Sequence, residues 1–129
     1  MIVGLSAATL QGAPVVTQDI DLWFERLDHP GLRRALRKVG GIYVPPFEMS
    51  PPMLAGKHLG MFDIILNMDG LGGFKKEVKN TVEIPLGRFK VKALSLERIV
   101  ASKEAAGRQK DKMVLPVLKE VLAAIRAKK

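Results

Sequence analysis

Asp19 and Asp21 stand one residue apart in "VVTQDIDLWF", residues 15–24, within a run of β-branched, aliphatic and aromatic residues. Aspartate is a poor strand former, so two in such a run need a reason. On a strand, side chains two apart point the same way, and both carboxylates project from one face. Like charges that close repel. A divalent cation offsets the repulsion directly, and magnesium prefers a few carboxylate oxygens together with water and phosphate. A half-exposed strand carrying two solvated aspartates is the plainer alternative. Asp63, in "GMFDIILNM", is a third carboxylate, on the side away from Phe62, Ile64 and Leu66. If the two strands share a sheet and a core side, all three carboxylates face one cleft. "GLSA" precedes the first pair, and a glycine there lets backbone N–H groups approach a phosphate.

The elements that must hold these residues follow from periodicity and breakers. "GLSAATLQ", residues 4–11, is helix-compatible and is ended by Gly12 and Pro14. Residues 16–24 alternate as a strand, with Ile20, Leu22 and Phe24 on the core side and Asp19, Asp21 and Trp23 on the other. Trp23 then packs the cleft wall or stacks on a base. Asp28 is an N-cap candidate, with Pro30 near the first turn, for a helix ending at Gly40-Gly41. Residues 42–58 hold four of the eight prolines and read mostly as an extended loop. Residues 60–68 are a second strand, "LGGFKKEV" a short helix or turn, and residues 80–94 a hairpin turning near Leu86-Gly87. Ser95 caps a helix "LERIVASKEAAG", and a last helix runs over residues 114–129 with Leu115, Leu118, Leu122 and Ile125 on one face.

Cations lie behind the carboxylates. Lys103 falls on the apolar stripe of Leu96, Ile99 and Val100, where a lysine needs a partner or must snorkel. A partner would be a phosphate or a site aspartate. Arg108 and Lys110 follow in "GRQKD", and Asp111 either pairs a base or starts the last helix. His29 and His58 could share a metal only if the fold joins two distant segments.

Composition bounds the rest. With 129 residues, the chain suits one domain. It is 47% hydrophobic and 26% charged, the balance of a folded globular protein, and no apolar run nears the ~20 residues that span a bilayer. No membrane partner is expected. The first residues lack a basic stretch before their apolar ones, so no signal peptide is expected. Zero cysteines exclude disulfides and thiolate metal sites and suit the cytoplasm. Net charge is +8, and from Lys75 onward fifteen Lys/Arg face six Asp/Glu, against six and seven before it. A basic half suits a polyphosphate or nucleic-acid partner, or simply a solvated surface.

"GLSAATLQGAPVVTQDIDLWF", "FDIIL" and "LSLERIVASKEAAGRQKD" resemble, in that order, the motifs of the DNA polymerase beta-like nucleotidyltransferase superfamily. They look most like its minimal bacterial group, which includes nucleotidyltransferase toxins of abortive-infection systems. The resemblance implies a single α+β domain of nucleotidyltransferase-like fold, a mixed β-sheet with helices mainly on one face. It implies that Asp19, Asp21 and Asp63 are the catalytic and metal-binding carboxylates, with two Mg2+ ions, and that Asp63 helps activate the attacking hydroxyl. Gly4, Ser6, Thr17, Lys103, Arg108 and Lys110 become the nucleotide- and phosphate-binding residues. The activity implied is transfer of a nucleoside monophosphate from an NTP to a protein or RNA hydroxyl, with a cognate toxin or antitoxin as a further partner. Relatives carry an additional N-terminal helix; without it, a second subunit could cover that surface as a homo-oligomer. Three positions depart from the pattern: Leu5 in the glycine turn, Val15 where an arginine is common, and Val114 where an aspartate is common. Those departures keep two alternatives in view, a catalytically degenerate binding or antitoxin-type module and a basic RNA-binding module.

Overall fold

The computed structural model describes residues 1–128. Lys129, the expected end of the last helix, lies outside the described residues. The chain is α+β, with a mixed five-stranded sheet and five helices among the described residues. In chain order the elements are β1 (Ile2–Val3), α1 (Gly4–Leu10), β2 (Ile20–Trp23), α2 (Pro30–Lys38), β3 (Ile42–Val44), β4 (Met53–Ala55) and β5 (Phe62–Ile65). Then come α3 (Phe74–Glu77), a 3-10 turn (Val78–Asn80), β6 (Thr81–Leu86), β7 (Phe89–Leu94), α4 (Leu96–Ala106) and α5 (Gln109–Ala127). The sheet order is β5-β2-β1-β7-β6. β2 runs antiparallel to β1 and parallel to β5, while β1 and β7 are parallel. No helix among the described residues is long and apolar enough to cross a membrane.

At strands β2 and β5 the sheet is covered on both faces. Helices α1, α4 and α5 enclose the larger core, which holds Val3, Ala7, Trp23, Leu94, Ile99 and Leu118. On the other face α2 and the β3–β4 pair close a smaller core of Leu36, Leu54 and Leu59, against which Leu22, Phe62 and Ile64 pack. This corrects the expected sidedness of β2. Trp23 is 2% exposed in the larger core and meets Phe74 edge to face at 6.0 Å, so it is not a base-stacking platform. Leu22 does face a core, but the second one.

Other expected boundaries also change, and the strand over 60–68 forms only at Phe62–Ile65. The strand over 16–24 forms only at Ile20–Trp23. Val16 is 91% exposed, and the Thr17 hydroxyl donates to the Asp19 carbonyl at 3.0 Å, a local bond that competes with the ladder. The extended loop over 42–58 instead contains a hairpin, because Pro45, Pro46, Pro51 and Pro52 all fall between its strands and leave Ile42–Val44 free to pair with Met53–Ala55. His29, not Asp28, caps α2: its Nδ1 accepts the Gly31 N–H at 2.9 Å, while Asp28 pairs with Arg26. Helix α5 begins five residues before Val114 and takes Pro116 into its interior. Pro116 lies on the exposed side, where water can serve the carbonyl it leaves free.

Candidate functional site

Two parallel strands set the carboxylates side by side. In the β2–β5 register Asp21 is paired with Asp63, across strands that run about 4.8 Å apart. Alternation sends both toward the α1/α4 face, as Trp23 and Ile65 on the same strands show by packing on the larger core. Asp19 precedes the ladder and is held by Thr17, whose hydroxyl bonds the Asp19 backbone. Ser6 lies beneath the site. Its Oγ donates to the Val3 carbonyl at 2.8 Å and accepts the Asp21 N–H at 3.1 Å, locking helix α1 to strand β2 at the carboxylate. Gly4 has φ +63°, and a Cβ there would collide with the Asp21 carboxylate. The close approach at this glycine is therefore made by Asp21 itself.

The cations converge from α4 and the start of α5. Asp111 is fully buried and gathers them. It accepts from Lys103 Nζ at 3.2 Å, from Arg108 Nε at 2.7 Å and Nη2 at 3.3 Å, and from the Arg108 backbone N–H at 3.2 Å. That last bond caps α5. Gly107, at φ +60°, ends α4 and turns the chain so that Arg108 and Asp111 fall back against Lys103. The Arg108 guanidinium, then burial working against it, then Lys103 set the Asp111 carboxyl, and the balance holds it at about 2. Lys103 is 17% exposed and does not snorkel, whereas Arg108 is 55% exposed.

Carboxylates and cations face one another across a cavity of about 430 Å3. Thr17, Asp19, Asp21 and Asp63 line one part, and Lys103, Arg108, Lys110 and Asp111 another. Burial pushes the Asp21 carboxyl up, as does the Asp63 carboxylate; Lys103 acts in the opposite sense. Among the described residues no three His, Cys, Asp or Glu side chains form a ready coordination group. Yet acceptor-only oxygens, one half-buried and strained by a like charge, are the donor set a hard divalent cation takes. The residues present fit magnesium in their chemistry. His29 and His58 do not join them: one caps α2 and the other is exposed on the loop before β5.

Of nine expected site residues, seven line this cavity. Gly4 lines an adjoining one of about 240 Å3, together with Asp21, Lys103 and Arg108, and Ser6 acts from below. Leu5 and Val114 stand in the cavity wall, whereas Val15 packs on the larger core. Sequence reasoning missed two supporting groups. Gln11 donates to the Leu94 carbonyl at 2.8 Å and accepts the Leu96 N–H at 2.9 Å, tying α1 to the β7–α4 corner. Glu77, fully buried, takes both arms of Arg98 at 2.9 Å and fixes the other end of α4's first turn. A lone glutamate in "FKKEVKN" carries no pattern that would reveal it. Compared with protein-family models, with curated proteins and with solved structures, the chain finds no match in any of the three.

Proposed function

We propose that this chain is a magnesium-dependent nucleotidyltransferase of the polymerase beta-like fold, moving a nucleoside monophosphate from an NTP to a protein or RNA hydroxyl. The observation that carries the reading is the single cavity in which Asp19, Asp21 and Asp63 confront Lys103, Arg108 and Lys110. Asp19, Asp21 and Asp63 would hold the metal, which when bound offsets their mutual repulsion and stabilises phosphate charge. Lys103 and Arg108, oriented by Asp111, provide fixed positive charge for the triphosphate. The acceptor oxygen bonds the α-phosphorus as the bond to pyrophosphate breaks, and Asp63 takes the hydroxyl proton.

The test is transfer of labelled nucleotide from each of the four NTPs to candidate protein and RNA acceptors. Asp19→Asn with Asp21→Asn should abolish it and leave thermal unfolding intact. A wild-type chain that transfers nothing and binds no NTP with magnesium would sink the reading. Leu5 in the cavity wall supports a second reading, a degenerate binding module. Calorimetry separates the two, since a degenerate module would give no magnesium-dependent triphosphate affinity.

A further inference from the structure

The cleft has a second lobe. The cavity of about 240 Å3 shares Asp21, Ile65, Lys103 and Arg108 with the carboxylate cavity, and it adds polar groups of its own, Asn67, Asp69 and Ser102. The two lobes together fall in the usual range of small-molecule sites, about 300–1,000 Å3. Ser102 is 6% exposed, and its hydroxyl makes no hydrogen bond among the described residues. It is not sealed off either, because no fully buried side-chain polar atom there lacks a partner. A hydroxyl on a buried residue is thus left facing the lobe. The Asn67–Asp69 loop completes the lobe. Gly70, at φ +73°, brings the Asn67–Asp69 loop so close to α4 that a Cβ would collide with Ala105.

We propose that this lobe is the nucleoside subsite of the cleft and that it favours bases with an exocyclic amino group over uracil. The assignment rests on the nucleotidyltransferase reading for the neighbouring lobe. Lys103 and Arg108 stand on the wall common to both lobes, so phosphates held there leave the uncharged end of the nucleotide to reach Asn67, Asp69 and Ser102. Asp69 as a carboxylate only accepts hydrogen bonds, whereas Asn67 and Ser102 donate and accept. Adenine, cytosine and guanine offer an amino group to such an acceptor. Uracil offers one N–H flanked by two carbonyls, which the carboxylate repels. Met68 and Ile65 supply apolar wall for the face of the base.

Two measurements test this. In the first, isotope-labelled protein is titrated with adenosine, guanosine, cytidine and uridine, which carry no phosphate. The amino-bearing nucleosides should shift the Asn67 side-chain amide and the Ser102 resonances, and uridine should do so least. In the second, magnesium-dependent binding of ATP, UTP and inorganic tripolyphosphate is compared in wild type, Ser102→Ala and Asp69→Asn. Asp69 is exposed, so its variant should fold whatever Ser102→Ala does. Each should weaken ATP about tenfold relative to tripolyphosphate; the ratio is what is read, because the Asp69 charge also acts on Arg108. Equal weakening of both ligands, nucleoside shifts mapping elsewhere, or UTP binding as tightly as ATP would overturn the subsite. If nucleosides shift these residues but tripolyphosphate does not bind, the triphosphate reading fails and the lobe stands.

Discussion

Replacing Asp111 with asparagine keeps the shape at the hub of the cationic wall and removes its charge. The Asn oxygen can still accept the Arg108 N–H, so the α5 cap survives. What is lost is the charge that holds Lys103 and the Arg108 guanidinium. The two cations do not weigh equally. Arg108 is half exposed and can rehydrate, so its share is that of a surface pair and is small. Lys103 is mostly buried, and stranding a buried charge costs roughly 3–5 kcal/mol. Because some of Lys103 still reaches water, the lower end applies, and about 3 kcal/mol is expected for Asp111→Asn. Urea unfolding at pH 7 measures it. Adding Lys103→Met removes the stranded charge, so the double variant should recover about 2 kcal/mol relative to additivity. The pH dependence has a definite sign. The Asp111 carboxyl is held at about 2, below its ordinary 3.8, so its contribution is complete above pH 3.8 and fades as pH falls toward 2. Wild type and variant should therefore converge over that window. A loss under about 1 kcal/mol, or strict additivity with Lys103→Met, would refute the claim that Asp111 is what keeps Lys103 in the wall.

Gly4→Ala places an L residue at φ +63° and a methyl against the Asp21 carboxylate; unfolding should cost about 1–2 kcal/mol while magnesium-dependent nucleotide binding is lost, and retained affinity would show that Asp21 has no role in it. Asp63→Asn removes the second cause that raises the Asp21 carboxyl, so carboxyl carbon NMR should show Asp21 titrating lower, and an unchanged or higher midpoint contradicts the side-by-side register. Glu77→Gln should cost about 3 kcal/mol in urea unfolding, because Arg98 loses a bidentate partner at 2.9 Å. Glu77 is held at about 2 rather than 4.5, so the stability it adds fades as pH falls between those values, and a pH-independent difference would argue against the pair.

What the sequence reveals follows from how local each cause is. The Asp19/Asp21 spacing carries its meaning in three residues, and the placement of Asp63 follows from one strand's alternation. Lys103 on an apolar stripe announces a buried cation, and Asp111 eight residues later is the partner it needs. The sidedness of β2 was not legible, because Leu22 and Trp23 are both apolar and a sheet covered on both faces buries both. The β3–β4 hairpin was hidden by four prolines whose positions, not number, decide the matter. Ser102 and the Asn67–Asp69 loop line one cavity, and Gly70 lets that loop approach α4 at Ala105, a tertiary contact with no periodicity to betray it.

The charges around the main cavity give its chemistry a direction. Four carboxylates line it, Asp19, Asp21, Asp63 and Asp111, against three cations, Lys103, Arg108 and Lys110. Asp111 already engages Lys103 and Arg108, leaving Lys110 as the one lining cation without an ion pair among the described residues. A triphosphate brings several further negative charges into a space that is not net positive. Leu5 and Val114 add apolar wall to the same cavity and bring no positive charge to it. If the cleft binds a nucleotide, most of the compensating charge must therefore arrive with it as a divalent cation. Nucleotide affinity should vanish in a chelator and return with magnesium. NTP binding that persists unchanged in EDTA would mean that the basic residues suffice and that Asp19, Asp21 and Asp63 have another purpose.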